Sequence, residues 1–489
     1  MPLRDMDREQ AWLLPPTLDD LLALDHPARF VAEFVDALDR EAWRELGIQI
    51  EGDQLGAPAY HPRALLSVWL YGFMTGVRSC RKLEAACRDQ IPYLWLTGCQ
   101  QPDHNTLWRF YKEYRNAMRK LFERTVRTAV TMKLVELAVQ AVDGTKVGAN
   151  AAKDRTLTAE ELSRLLGRVE KAIADLEAQN EGGEDASAVS LPGELADKRA
   201  LREQVRHALD ELDSQQDRKR INLTDKDARL MRARPSLFVP GYNAQVMVSP
   251  METDGAVTGM LLTAADVLDE THDNDQLIPM MEQAEETTGM KAPMTLADAG
   301  YFAAAQLEEC DRREQQVAVP EPRQQFPVGD PYHKDQFAYD ETTDSYTCPQ
   351  GQTLRFVQRQ FIHRTWYRVY RASPTICRAC PAFGVCTKAR NGRNIIIGPN
   401  DATLKRHRVW MTTDAAKEAY RRRKQLVEPV FGIIKEQMGA RRFLLRGLVN
   451  VTAEWIMLAA AFNLRTLWKA WRSRVPAHPP HNPEPCPTF

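Results

Sequence analysis

The sequence predicts an α/β fold carrying a helical N-terminal region, and three patterns lead there. Residues 1–130 repeat apolar side chains at helical spacing, whereas from residue 134 short alternating, β-compatible runs take over. Long helical patterns then return twice, once as an interruption between those runs and once beyond Asp414. The predicted divisions are a helical region at 1–130 and an α/β catalytic domain at 131–475. The domain is interrupted by a helical hairpin at 155–235 and a Cys-rich insertion at 325–400, and a Pro-rich flexible tail follows at 476–489.

In the first region PRALLSVWLYGFMTGV (62–77), SCRKLEAACRDQIPYLWLTG and DHNTLWRFYKEYRNAMRKLF each read as short helices. Pro62 suits a first helical turn, Ser79 and Asp103 are N-cap residues by type and place, and Gly98 suits a helix end. Three short capped helices fit a helix-turn-helix-like DNA-binding unit, and a purely structural helical bundle fits equally well. His61 and His104 are expected as caps or half-buried polar groups.

At 134–150 the pattern LVELAVQAVDGTKVGAN alternates, giving a strand that ends near Asp143 and a turn at Gly144. Residues 157–180 then set Leu162, Leu165, Val169, Ile173 and Leu176 on one helical face. After a break at EGGEDASAVSLPG, a second helix carries Leu201, Val205, Leu209 and Leu212. This antiparallel pair is either a device for pairing two copies or a solvent-facing buttress. YNAQVMVSP, AVTGMLLTAADV and APMTLADAGYF are three further strands, with a helix at NDQLIPMMEQAEETTG. Short strands such as TLRFVQ and WYRVYRA follow among Pro, Gln and Cys residues.

Composition excludes several classes. With 44% hydrophobic and 27% charged residues the chain is neither a fibre nor wholly disordered. The opening MPLRDMDREQ lacks the apolar core of a signal peptide, and no run approaches the ~18 apolar residues of a spanning helix, so a cytoplasmic protein without a membrane partner is expected. Net charge is −1, yet residues 401–475 hold 16 Lys and Arg against 6 Asp and Glu. One basic segment therefore sits on an acidic body.

Asp143 and Asp298 each end a predicted strand (VQAVD, TLADAG), so in a parallel arrangement both carboxylates project into one crevice. Glu428 can be offered from the helix YRRRKQLVEPVFGIIKEQMGARRF, where Pro429 suggests a local break. Three converging carboxylates repel one another and are tolerated mainly around hard divalent cations, with Mg²⁺ the natural occupant. Two such ions serve phosphoryl transfer in nucleases and polymerases. Spacing alone does not single these three out from 66 acidic residues.

The blocks DGTKV, ADAGYF and YRRRKQLVEPVFGIIK, in this order, resemble the three blocks of bacterial insertion-sequence transposases of the DDE type. The resemblance implies a ribonuclease-H-like fold on which Asp143, Asp298 and Glu428 hold two Mg²⁺ ions, Mn²⁺ being able to replace them. Relatives carry Tyr, two residues, Arg, three residues, Glu, six residues, Lys. Glu428 and Lys435 match, Arg421 and Lys424 stand at the Tyr and Arg positions, and Tyr420 is one place off register.

Arg421, Arg422, Arg423, Lys424, Lys435, Arg441 and Arg442, with Arg446 beyond them, are either a solvated face or phosphate contacts. Beside a candidate catalytic acid, phosphate contact is the expectation. Gly241, Tyr242 and Asn243 resemble a block shared by these transposases, and a turn with a strand start explains them. Asp266, His272 and Asp273 lie in an acidic turn and are left outside the site.

Cys348, Cys377, Cys380 and Cys386 are spaced C-x28-C-x2-C-x5-C, a set that suits structural Zn²⁺. Unligated thiols and an iron–sulfur cluster are the alternatives. Cys80, Cys87, Cys99 and Cys310 are expected as small buried side chains, and Cys486 falls in the tail. The whole predicts a DNA transposase that binds terminal inverted repeats, cleaves and joins double-stranded DNA, and assembles as a homo-oligomer on it. A metal-dependent nuclease without strand transfer and a non-catalytic, transposase-derived DNA-binding protein are the alternatives.

Overall fold

In a computed structural model the described residues are 17–51, 59–181, 193–215, 218–234, 237–253, 255–322, 328–362 and 365–473. The tail with Cys486, and most of the break between the hairpin helices, lie outside them. Among the described residues seven helices precede the sheet, including Pro62–Thr75, Cys80–Asp89, Ile91–Thr97, His104–Tyr114 and Ala117–Thr131. Their boundaries follow the cap chemistry. Asp103 accepts from the Thr106 N–H at 2.8 Å, His61 Nδ1 accepts from the Arg63 N–H at 3.1 Å, and Gly98 closes its helix in the left-handed conformation. Ser79 holds the N-cap position without a side-chain bond, and His104 pairs with Glu84 at 2.7 Å. Cys87 and Cys310 are buried as expected, whereas Cys99 is exposed because it takes a left-handed turn (φ 62°) just past Gly98.

Six strands among the described residues build the main sheet, Arg229–Arg234 and five others: β1 (Val139–Gly148), β2 (Leu237–Thr253), β3 (Ala256–Leu268), β4 (Met294–Leu296) and β5 (Gln316–Ala318). The order is β3–β2–β1–β4–β5, with β1, β2 and β3 antiparallel in turn and β4 and β5 parallel to β1. Arg229–Arg234 pairs with the start of β2. This mixed α/β arrangement is consistent with the ribonuclease-H-like expectation.

Two expectations need correction here. Strand β1 does not end at Asp143: it runs on to Gly148 because the partner β2 continues, pairing Gly144 with Gln245 and Gly148 with Gly241. Gly144 serves close approach rather than a turn, since a Cβ there would meet Asp273 Oδ1 at 2.8 Å and Asn243 Oδ1 at 3.0 Å. Likewise Gly241–Asn243 is strand interior, with the Tyr242 hydroxyl buried and donating to Asp225 at 2.7 Å.

One hydrophobic core joins the N-terminal helices, one face of the sheet and the helix Leu448–Arg472. That last helix is apolar on nearly every side, as a helix enclosed by protein must be. Asn463 fastens it to the edge strand β3: its side chain accepts from Leu262 N–H at 2.8 Å and donates to Leu262 O at 2.9 Å. The buried Arg78–Glu454 pair, 2.7 Å apart, ties it to the N-terminal helices, and the Leu444 and Leu445 N–H groups complete the carboxylate's bonds. Truncating one member of such a pair leaves a buried charge, at a cost of about 3–5 kcal/mol. The opposite sheet face packs on Leu277–Thr288 and Ala304–Arg312.

Ala159–Glu181 and Gly193–Ser214 pack through the residues expected from spacing, with Leu162, Val169, Ile173, Val205 and Leu212 buried. The short pair Thr156–Leu157 and Ile221–Asn222 closes the base. The cysteine segment forms a five-stranded antiparallel sheet in the order 394–397, 365–372, 353–362, 345–347, 338–340. Among the described residues no helix is long and apolar enough to cross a membrane.

Candidate active site

Asp143 lies on β1 and Asp298 just after β4. Each stands two residues beyond a parallel register pair, Ala141 and Leu296, so the two carboxylates leave neighbouring strands side by side. Asp298 caps the short turn Ala299–Tyr301, its Oδ1 accepting from the Gly300 N–H at 2.7 Å. Two neighbouring strands thus supply two acids, and a third element supplies the charge between them.

That element is the helix Asp414–Gly432, which continues through Pro429 rather than breaking there and passes into one π-helical turn at Ile433–Gln437. Arg423 is buried on its inner face. Its Nη2 lies 2.8 Å from Asp143 Oδ1 and 3.6 Å from Asp298 Oδ2, while Nε has no hydrogen-bond partner. Burial pushes the Asp143 carboxyl up to about 6, Arg423 draws it back down, and Asp298 and Asp273 push it further up. Tyr420, one turn earlier, is half-buried near the same carboxylates. Tyr420 and Arg423, rather than Arg421 and Lys424, therefore occupy the inner face, because helical phase selects which of four consecutive basic residues meets the strand ends.

Glu428 and Lys435 sit elsewhere on this element. Glu428 is exposed and has no hydrogen bond or ion pair among the described residues. It is turned about 140° around the helix from Arg423, at 3.6 residues per turn. Lys435 donates to Thr145 Oγ1 and, at 3.4 Å, to Lys146 O. Thr145 shares a sheet face with Asp143, so Lys435 brings the end of the Glu428 helix against the strand that carries the first aspartate. Burial lowers the Lys435 ammonium, and Asp143 opposes that shift.

Asp273, left out by sequence reasoning, belongs to this neighbourhood. Its Oδ1 accepts from Asn243 Nδ2 at 2.6 Å and Gln245 Nε2 at 2.7 Å and lies 3.7 Å from Lys146 Nζ. The Tyr301 hydroxyl, fully buried, donates to Gln245 Oε1. This network backs the carboxylates from the other sheet face. The sequence signal was the cluster DETHDND directly after β3, where a strand end opens toward the crevice. Asp266 lies away from it, bonded to Arg119.

The remaining basic residues divide by environment. Arg421, Arg422 and Lys424 are exposed, with Arg421 pairing to Glu418 at 2.9 Å. Arg441 pairs with Glu436, and Arg442 and Arg446 brace the end of β1 through Ala149 O and Asn150 O. Arg423 is the exception to the solvent-facing basic stretch.

The donor set at the strand ends suits a hard cation: carboxylate oxygens outnumber the guanidinium between them, and Asp143 resists ionisation without further positive charge. Among the described residues no group of three or more His, Cys, Asp or Glu side chains is arranged to hold a metal ion. The four clustered cysteines nonetheless line one small cavity, where Cys348 Sγ accepts from Gln352 N–H and Cys377 Sγ from Arg393 N–H, each at 3.3 Å.

Comparison with known proteins adds two matches. Residues 347–468 match the family described as transposase DDE domain, and residues 16–113 match the transposase domain DUF772. Two separate segments of the chain are thus similar to transposase domains, which supports an insertion-sequence transposase of the DDE type. The first match takes in the four clustered cysteines, Glu428 and Lys435, while Asp143 and Asp298 lie outside both. No curated protein matches the chain.

Proposed function

We propose that the transposase cuts double-stranded DNA at the terminal inverted repeats of its element and joins the freed ends to target DNA. The observation that carries this reading is the pair Asp143 and Asp298, held side by side on parallel strands and bridged by Arg423 from the helix that bears Glu428. Asp143 and Asp298, with Glu428 brought round from the exposed side of its helix, would hold two Mg²⁺ ions, or Mn²⁺, which when bound supply the positive charge that phosphoryl transfer needs. In the first step a water oxygen bonds to phosphorus as the P–O3′ bond breaks. In the second the freed 3′-oxygen bonds to a target phosphorus and the target's own 3′-oxygen leaves. No covalent protein–DNA intermediate is required.

Arg421, Arg422, Lys424, Arg441 and Arg442 supply phosphate contacts, while Arg423 and Lys435 hold the strand end and the helix together. Base recognition falls to the helices around 60–115, and bringing two element ends together calls for an oligomer on DNA. The four cysteines take structural Zn²⁺, supported by their shared cavity and the N–H groups aimed at two sulfurs. The protein works in the cytoplasm, where its DNA is.

The test is Mg²⁺-dependent cleavage and joining of DNA carrying the element's ends, by the intact protein and by Asp298→Ala. Cleavage with joining, lost in the variant, is expected. Cleavage without joining would make it a nuclease, binding without cleavage a non-catalytic binder, and activity surviving in the variant would overturn the assignment of Asp298.

A further inference from the structure

The hairpin formed by Thr353–Ile362 and Thr365–Ala372 in the cysteine-bearing sheet has a composition unlike the rest of the chain. Residues 353–372 hold five arginines and five aromatic residues and no Asp or Glu. The hairpin also outruns its sheet. Ser345–Thr347 pairs only with residues 353–355, and Asn394–Ile397 only with 368–371. The cross-strand pairs Gln360–Tyr367, Phe361–Trp366 and Ile362–Thr365 therefore stand as a two-stranded ribbon flanked by no strand among the described residues.

Its charges are set against each other. Arg355 lies directly opposite Arg371, and Arg359 opposite Arg368. Like charges facing across a strand pair destabilise it unless something anionic intervenes. Arg368 has such a partner in Asp344 and also lies 5.1 Å over the Phe356 ring. Arg355, Arg359 and Arg371 meet no carboxylate among the described residues. The bulge at Val357 places the two arginine pairs on opposite faces of the ribbon. At the tip Phe361 and Trp366 are 56% and 60% exposed, with ring centroids 5.0 Å apart.

Cationic faces on both sides and bare aromatic rings at the end match a grooved polyanion with an apolar interior. The major groove of duplex DNA admits a two-stranded β-ribbon, and exposed apolar side chains can wedge between base steps and bend the duplex. We propose that this ribbon is a second grip on double-stranded DNA, separate from the basic stretch at 421–446. Arg355, Arg359 and Arg371 engage phosphates, and Phe361 with Trp366 press into the base stack. The proposal rests on DNA being the substrate.

The experiment is a salt titration of the full chain binding a fluorescently labelled DNA duplex. Each phosphate contact steepens the dependence of log affinity on log salt by about 0.9. Replacing Arg355, Arg359 and Arg371 together by Gln should flatten the slope by about 2 to 3, and replacing them by Lys should restore it. Phe361→Ala with Trp366→Ala should leave the slope unchanged and abolish duplex bending read by end-to-end energy transfer. An unchanged slope in the Gln variant, with its melting temperature also unchanged, overturns the proposal while leaving the transposase reading intact. So does a Gln variant that loses self-association or binding to anionic vesicles but keeps its DNA slope. Failure of the unmodified chain to bind any duplex overturns both.

Discussion

The helical hairpin at 159–214 and the cysteine-bearing sheet at 338–397 are both excursions from one catalytic sheet, yet they treat charge in opposite ways. The hairpin is acidic, with 14 Asp and Glu against 7 Lys and Arg over 159–214, and it sets arginines against acids: Arg199 pairs with Glu177 at 2.6 Å, Arg206 with Glu170 at 2.8 Å and, just beyond it, Arg218 with Glu211 at 3.3 Å. The sheet's ribbon leaves arginine facing arginine. An acidic surface whose arginines are already paired has little to offer an anionic partner, whereas one that leaves arginines facing each other is built around something absent from its own chain. The contrast assigns the hairpin to packing and the ribbon to binding, and four measurements can break or sharpen it.

The largest effect is expected at the strand ends from which both excursions depart. Asp143→Asn should lower metal-dependent cleavage by on the order of 10⁴, the scale seen when one member of a cooperating catalytic set is removed, with both excursions intact by hydrogen exchange. Retained cleavage would detach the excursions from any chemistry at this site.

Next comes the core of the hairpin. Leu162→Ala should cost about 2–5 kcal/mol, read as lost amide protection confined to 156–222. Loss spreading into 338–397 would mean the two excursions are coupled and the contrast false.

A pH series sharpens the picture at their common base. Asp143 has its folded-state value raised to about 6, above its ordinary 3.8. The folded protein therefore binds more protons than the unfolded chain between those values, so this group's contribution to stability is present below pH 4 and lost as pH rises through 6. Metal binding requires the ionised form, so Mg²⁺ or Mn²⁺ affinity measured calorimetrically should fall as pH drops below about 6. Affinity unchanged down to pH 5 would mean Asp143 is not among the ligands.

The smallest effect is expected on the hairpin surface. Arg206→Ala removes an exposed pair worth about 0.2–1 kcal/mol and should leave DNA affinity and its salt slope unchanged. A flattened slope would put the hairpin on DNA as well.

Much of this was legible in the sequence where the information is local. Pro62, Asp103 and Gly98 mark helix ends by chemistry that acts within one turn, and the hairpin's packing faces follow from 3.6-residue spacing alone. Asp298 could be placed just past a strand end and Asp143 on a strand, since alternation and turn residues mark strands, although they end β1 near Asp143, five residues short of Gly148. What escaped depends on relations between distant segments. Gly144 looks like a turn until β2 is known to run alongside it. Arg423 looks like one member of a solvated run, and only the phase of its helix against β1 and β4 buries it. Asp273 reads as one acid in an acidic turn, and its role appears when Asn243, Gln245 and Lys146 come to it across the sheet.

The meeting of the helix Leu448–Arg472 with the first described residues has a consequence for how the chain is made. Trp468 donates to Asp25 O at 2.9 Å, Arg472 pairs with Asp25 at 2.7 Å, and Trp471 bonds Glu33 at 3.0 Å. Segments 443 residues apart in the chain thus share one core, and the earlier helices must wait on the ribosome for the later one. Such distant pairings fold slowly and leave apolar surface open in the interim. A nascent chain therefore cannot complete its core, or the strands that lean on it, before the helix Leu448–Arg472 has left the exit tunnel.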